Sequence, residues 1–234
     1  MVALVIVALI LLALTLDFFV EELSVRQPLA RPAKLPDWLS RSVPLGFLLD
    51  PAHVWLQREK DQLVRLGSDG FAAAVLGKPD EVKVLARPGT VARGDALARL
   101  SRRGHSLILR SPVSGTLVEY NAELDAKDAV ADPFGRGWFA ILRPRQEVNE
   151  AGRQRADRAS AWLTHEWQRV RDFVLERTRS AAPLGATMAD GGSLQPGFLP
   201  QLSAADCQAL EATFFGIAPL EIRPEAPARG EAKP

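Results

Sequence analysis

One stretch of the sequence decides the fold: ILRSPVSGTLVEYNAELDAKDAVADPFGRGWFAILRP, residues 108–144. Its two apolar runs, GTLVEY (115–120) and WFAILR (138–143), are typical of short β-strands. Pro112 and Gly115 lie in a turn before the first run, where Pro112 fixes φ and Gly115 can adopt a positive φ. The stretch therefore predicts β structure organised around a Pro-x-Ser-Gly turn.

The same strand pattern extends upstream of this stretch. Short apolar runs separated by Gly, Pro and Asp turns begin at His53, and they are HVWLQ, QLVRLG, EVKVL, ALARL and HSLILR. The alanine-rich run FAAAVL, residues 71–76, fits one helical turn between strands, but its pattern alone does not decide. Together these runs predict a small, mainly β domain.

The motifs of this region resemble those of the H protein of the glycine cleavage system. That family has, in this order, a proline-x-serine-glycine turn, a strand ending in asparagine, an acidic loop and a D/S-P-[YF]-G-x-G-W segment. The matching pieces are Ser111-Pro112-Val113-Ser114-Gly115, Val118-Glu119-Tyr120-Asn121 and Asp132-Pro133-Phe134-Gly135-Arg136-Gly137-Trp138. Upstream matches are His53-Val54-Trp55, Leu76-Gly77, Pro88-Gly89-Thr90-Val91 and Arg93-Gly94. The resemblance covers about residues 48–146.

The resemblance implies a barrel-sandwich hybrid, the lipoyl-like fold of two small antiparallel sheets packed face to face. In the family, a hairpin tip presents a lysine whose lipoyl group shuttles aminomethyl groups. Counting without a gap from Gly94 to Pro112 places that lysine position on Gly104. Glycine has no amine, and a neighbouring arginine forms no stable amide. We therefore predict a protein without a lipoyl group or other cofactor, without a catalytic residue, and not an enzyme.

The predicted hairpin tip is basic. The candidate interaction residues are Arg99, Arg102, Arg103, His105 and Arg110. Such a cluster is suited to an acidic partner or to lipid phosphates. The alternative is that these side chains only keep an exposed strand edge soluble and unpaired.

The overall composition excludes several other classes of function. Lysine and arginine total 29 against 28 acidic residues, so the charge balance gives no argument for nucleic acid. The three histidines, His53, His105 and His165, are far apart, and Cys207 is the single cysteine, so no metal site is predicted. The sequence contains no phosphate loop and no dinucleotide fingerprint.

The first residues predict a membrane anchor. Val2 to Leu16 is unbroken apolar sequence, and it continues past Asp17 to Val20. About 19 such residues just cross the hydrocarbon core. The basic residues that follow place the remaining chain in the cytoplasm by the positive-inside rule, and they are Arg26, Arg31, Lys34 and Arg41. We therefore predict a single-pass protein of the inner (cytoplasmic) membrane, with an interfacial helix as the alternative.

The complete predicted organisation has five parts. They are a transmembrane anchor (1–22), a Pro-rich linker (23–47), a lipoyl-like β domain (48–146), a helical extension (147–220) and a disordered tail (221–234). In the extension, the spacing of Leu163, Trp167, Val170 and Val174 predicts an amphipathic helix. Ser203, with Asp206 three residues later, resembles the capping box of a second helix.

These features favour a protein-interaction or scaffold subunit in a membrane-associated complex. Two alternatives remain. The first is a genuine glycine-cleavage carrier, and the second is an adaptor of an export system with a lipoyl-like domain. Such adaptors usually separate their two lipoyl halves by a long helical hairpin, whereas the two halves are contiguous here.

Overall fold

The computed structural model describes residues 43–178 and 194–217, and ten strands of these ranges form two antiparallel sheets. The strands are β1 (Phe47–Leu49), β2 (Val54–Arg58), β3 (Val64–Ser68), β4 (Glu81–Val84), β5 (Gly89–Val91), β6 (Ala96–Arg102), β7 (His105–Arg110), β8 (Gly115–Tyr120), β9 (Trp138–Pro144) and β10 (Gln154–Arg155). The larger sheet has the order β10-β1-β2-β3-β9-β8-β5, and the smaller one has the order β4-β6-β7. The prediction of a mainly β fold is confirmed.

Four α-helices accompany the sheets in the described ranges. They are α1 (Phe71–Leu76), α2 (Ala126–Ala131), α3 (Ala156–Thr178) and α4 (Ala204–Phe214), with short 3-10 turns at Lys60–Gln62 and Leu199–Gln201. The alanine-rich run that the sequence left undecided is the helix α1, and all six of its side chains are buried. Small side chains allow this helix to lie inside the core between other elements.

The deciding stretch forms the β8–β9 pair and the loop that joins the two strands. Asn121, at the end of β8, donates its side-chain amide to the carbonyls of Arg136 and Trp138, both at 3.0 Å, and so fastens this loop. Gly115 does not adopt the positive φ that is open to a glycine in a turn. Glycine is required there because a Cβ would lie 2.5 Å from the carbonyl oxygen of Arg143 on β9.

The core continues from the sheets into the C-terminal helices. Leu163, Trp167, Val170 and Val174 of α3 are all buried, so the predicted amphipathic helix is confirmed. Residues 194–217, here called the C-terminal segment, add further apolar side chains to the same core, and these include Phe198, Leu199, Leu210, Phe214 and Phe215. The segment is therefore part of the folded domain.

The inner-membrane location predicted from the first residues is corrected, because the described part of the chain supplies no spanning segment. A spanning helix needs about 20 predominantly apolar residues, and no helix within 43–178 or 194–217 is long and apolar enough to cross a membrane. The longest helix, α3, carries charged side chains along its solvent-facing side. The anchor predicted for residues 1–22 lies outside the described ranges, as do most of the predicted linker and the tail from 221 to 234.

Candidate functional site

The β6–β7 hairpin is the candidate site, and its turn consists of two residues. Arg102 pairs with His105, which leaves Arg103 and Gly104 as the loop, with φ values of 46° and 82°. Two consecutive positive φ values match the twist of a tight hairpin. Gly104 is exposed, and a Cβ at this position would meet nothing within 4 Å. The position singled out by counting is therefore at the tip of a hairpin, with open space around it.

Two of the five predicted basic residues are engaged within the chain. The Arg102 guanidinium donates from Nη1 to the carbonyl of Leu76, the last residue of α1, at 3.1 Å. Arg110 donates from Nη1 to the carbonyl of Gly94 at 3.2 Å, and its Nη2 lies 3.9 Å from the Glu211 carboxylate of α4. These two side chains hold neighbouring elements of the fold together.

The other three residues have different surroundings. Arg99 is exposed on β6, where its register partners are Lys83 and Ile108. Arg103 is exposed at the turn, and its backbone N–H donates to the Asp80 carboxylate at 3.0 Å. His105 is half-buried. The structure therefore brings the five residues onto one hairpin, but it does not direct all of them to one surface.

The C-terminal segment lies against the hairpin. A half-open groove of about 360 Å³ separates Gly104–Leu107 from α4, and Ala204, Cys207 and Glu211 line its other wall. Burial, and then the nearby Asp206, raise the pKa of the Cys207 thiol, so the thiol in this groove stays protonated. The segment is anchored beside α1, where the Gly197 N–H donates to the Ala74 carbonyl at 2.8 Å.

A buried ion pair fixes the Pro-x-Ser-Gly turn. The Arg153 guanidinium donates from Nε to the Asp50 carboxylate and from Nη2 to the Pro112 carbonyl, both at 3.0 Å. Burial raises the pKa of Asp50 above its ordinary value, although the Arg153 charge opposes this shift. At the other end of the turn, the Ser114 hydroxyl accepts from the Arg93 backbone N–H at 2.9 Å.

His53 and Asp69 form a second buried pair, which the sequence analysis missed. The His53 Nδ1 lies 2.8 Å from Asp69 Oδ2, and both side chains are fully buried. The imidazole stacks on the Phe71 ring at 3.7 Å between ring centroids. Only the His-x-Trp motif singled out His53, and nothing in the sequence linked it to an aspartate sixteen residues later. The pair joins the start of β2 to the turn that begins α1.

Within the described ranges, no group of three or more His, Cys, Asp and Glu side chains converges as metal ligands would. Gly104, the residue that counting aligned with the family's lysine, has no side chain, and Arg103 is the other residue of the turn.

Comparisons with known proteins find a matching family model and similar sequences. A family model described as "Glycine cleavage H-protein" matches residues 48–166. The glycine cleavage system H protein of Coprothermobacter proteolyticus is 31% identical over 99 residues, which cover 42% of this chain and 78% of that protein. The H protein of Magnetococcus marinus is 29% identical over 124 residues, covering 52% and 88%.

A solved structure is also similar to this chain. It is the crystal structure of a glycine cleavage system H protein from Mycobacterium marinum, with 23% identity and a TM-score of 0.45. The match covers 51% of this chain and 98% of that chain. The relatives are named as glycine cleavage system H proteins, and this too stands against the inner-membrane location predicted from the first residues.

Proposed function

Because the chain belongs to the glycine cleavage H-protein family, we propose that it is a member without a lipoyl group, which acts as a protein-interaction or scaffold subunit. One observation carries the proposal. Gly104, the residue that the spacing of the family motifs aligns with the lipoyl lysine, lies at the turn of the β6–β7 hairpin. A lipoyl group is attached through an amide to a lysine amine, and neither residue of this turn has one.

The bracing of the hairpin also favours a binding role. Arg102 lies two residues before Gly104, points inward and donates to the Leu76 carbonyl. The C-terminal segment supports the same region through the Gly197–Ala74 hydrogen bond and the Arg110–Glu211 pair. A hairpin held in this way keeps its shape without a prosthetic group, and a preformed surface loses little entropy when a partner binds.

The main alternative is a carrier that uses another lysine. Lys78 precedes Asp80, whose carboxylate binds the Arg103 N–H at the turn, and Lys83 is the register partner of Arg99. Both lysines are exposed and lie beside the hairpin. A carrier would have to bear its lipoyl group on one of these lysines or on another, such as Lys127 of α2.

The decisive experiment measures the mass of the intact protein. The full chain is co-expressed with a lipoate-attaching ligase in medium containing lipoate, and G104K serves as the matched variant. We expect the wild type to keep its unmodified mass. An adduct on any lysine of the wild type, located by peptide mapping, would contradict the proposal and support the carrier alternative.

The G104K variant tests whether residue 104 alone prevents the attachment of a lipoyl group. An adduct on G104K alone would mean that the ligase recognises this hairpin, so that residue 104 by itself prevents attachment in the wild type. The interaction role is tested separately. The tagged full chain is purified from its native cells, and the molecular mass of the complex that it forms is measured. A chain that is monomeric and without a stoichiometric protein partner there would contradict a scaffold role.

A further inference from the structure

The outer side of the three-stranded sheet carries positive charge that the fold itself does not use. Along β4 and β6 the side chains alternate, so that Val82, Val84 and Leu100 face the core while Lys83 and Arg99 face solvent. We call this solvent-facing side the outer face. It is formed by Glu81, Lys83, Arg99, Ser101, Ser106 and Ile108.

The two cations of the outer face are direct cross-strand partners. Lys83 on β4 is in register with Arg99 on β6, and like charges placed directly opposite one another destabilise a sheet. In the part of the chain that the structure describes, neither side chain forms an ion pair with a carboxylate. The pair therefore has a small cost in the isolated domain, and an anionic partner would remove that cost.

The nearby carboxylates have other partners. Asp80 accepts from the Arg103 N–H at 3.0 Å, and Asp128 of α2, the helix next to β4, pairs with Arg136 at 2.9 Å. Glu81 is the one carboxylate of the outer face, and its register partner is Ser101. The outer face therefore has a surplus of positive charge at its centre.

The other sides of the hairpin are already covered. Arg102 points inward to Leu76, and Arg110 pairs with Glu211 of α4, which lies beside the β7 edge. In the described part of the chain the outer face is thus open, and its residue Ser106 also lines the half-open groove beside α4. Ser101 and Ser106 have small side chains and Ile108 is half-buried, so these residues leave the two cations accessible to a partner's side chains.

We propose that the outer face, centred on Lys83 and Arg99, is the docking surface for an acidic segment of a partner protein. This inference rests on the proposed function, because it names the surface and the chemistry of the partner in that interaction. Carboxylates of the partner would pair with both cations at once, and a guanidinium offers two parallel hydrogen bonds to a carboxylate. Because the cations are exposed, the attraction depends on ionic strength.

The test is a binding titration on the full chain. A fluorescein-labelled peptide of alternating glutamate and alanine is titrated with wild type, with K83E/R99E and with a control, R143E/R158E. The control changes the net charge equally at exposed arginines of β9 and α3. We expect K83E/R99E to weaken binding at least about tenfold and the control less than about twofold, with wild-type binding falling as salt is added.

Several outcomes would overturn the proposal. One is no peptide binding by the wild type at low salt, and another is an equal loss in both double variants, which would mean diffuse attraction only. A third is binding of phosphatidylglycerol vesicles, and not of the peptide, through Lys83 and Arg99. The neutral variant K83Q/R99Q, with a circular dichroism spectrum for each protein, separates a lost charge from a lost fold.

The result of the peptide titration can be distinguished from the result of the mass measurement that tests the proposed function. A wild type of unmodified mass that binds the peptide no better than K83E/R99E would remove this docking surface and leave the proposed function intact. An adduct on the wild type would remove the proposed function, whatever the peptide does.

Discussion

Arg102 and Gly197 lie so close together that a Cβ on Gly197 would stand 2.5 Å from the Arg102 Nη1. Gly77 contacts the same guanidinium, and the added Cβ on Gly197 would also lie 3.1 Å from the Gly77 Cα. The hairpin, α1 and the C-terminal segment therefore meet at one point, where two backbones and a guanidinium leave no room for a side chain.

Gly197→Ala should destabilise the protein by about 2 kcal/mol. The residue has a φ of 79°, which costs an alanine about 1 kcal/mol, and the methyl group would also displace Arg102 from the Leu76 carbonyl. Gly104→Ala is the matched control, because its φ is 82° and its Cβ would meet nothing. Urea unfolding of both variants measures the difference. Equal losses would show that the contact with Arg102 is not what requires glycine at position 197.

Phe198→Ala should cost about 3 to 5 kcal/mol, as expected when a fully buried aromatic side chain is removed. Phe198 is 1% exposed, and its ring lies 6.2 Å from that of Trp167 on α3. Leu45→Ala is the control, because Leu45 is 88% exposed and its loss should change stability by less than about 0.5 kcal/mol. Chemical unfolding provides the measurement. A small loss for Phe198→Ala would mean that the C-terminal segment is not part of the cooperative core.

Ser203→Ala should destabilise α4 by about 1 kcal/mol, while Ser203→Gly should cost only a few tenths. Ser203 is the N-cap: its hydroxyl accepts from the Asp206 N–H at 3.1 Å and donates to the Asp206 carboxylate at 2.6 Å. The hydrogen bond from this hydroxyl is the largest cause of the lowered pKa of Asp206, and the hydrogen bond from Arg177 is the next. Ser203→Ala should therefore also raise that pKa towards its ordinary value, which an NMR titration detects. An unchanged Asp206 pKa would contradict the cap.

The sequence predicted those parts of the fold that local patterns determine. Strands followed from short apolar runs between turn residues, and α3 followed from the spacing of Leu163, Trp167, Val170 and Val174. The position of Gly104 at a hairpin tip followed from the resemblance to the H-protein family, by counting from Gly94 to Pro112. These predictions depend on neighbours along the chain, and neighbours are what a sequence displays directly.

Long-range contacts were not predictable in the same way. Arg99 and Arg102 are alike as residues, but the register of β6 turns one to solvent and the other towards α1, where the C-terminal segment meets it. His53 and Asp69 come together only when β2 pairs with β3. The role of the five basic residues in interaction stays a prediction, and the structure shows how differently their side chains are placed.

Asp50 should make the stability of the protein depend on pH in the acidic range. Burial raises the pKa of this carboxyl above its ordinary value of 3.8, and the attraction of Arg153 only partly offsets that shift. The folded protein thus holds the Asp50 proton more tightly than the unfolded chain, so the contribution of Asp50 to the free energy of unfolding falls as the pH rises from 3.8 through the raised pKa, and then levels.

Asp50→Asn removes this titration. The stability advantage of wild type over Asp50→Asn should therefore shrink with rising pH, as measured by urea unfolding between about pH 3 and about pH 7. In Arg153→Gln the opposing charge is gone, so the pKa of Asp50 should rise further and the decline should extend to higher pH. A wild-type advantage that grows with pH would mean that the attraction of Arg153 outweighs the cost of burial.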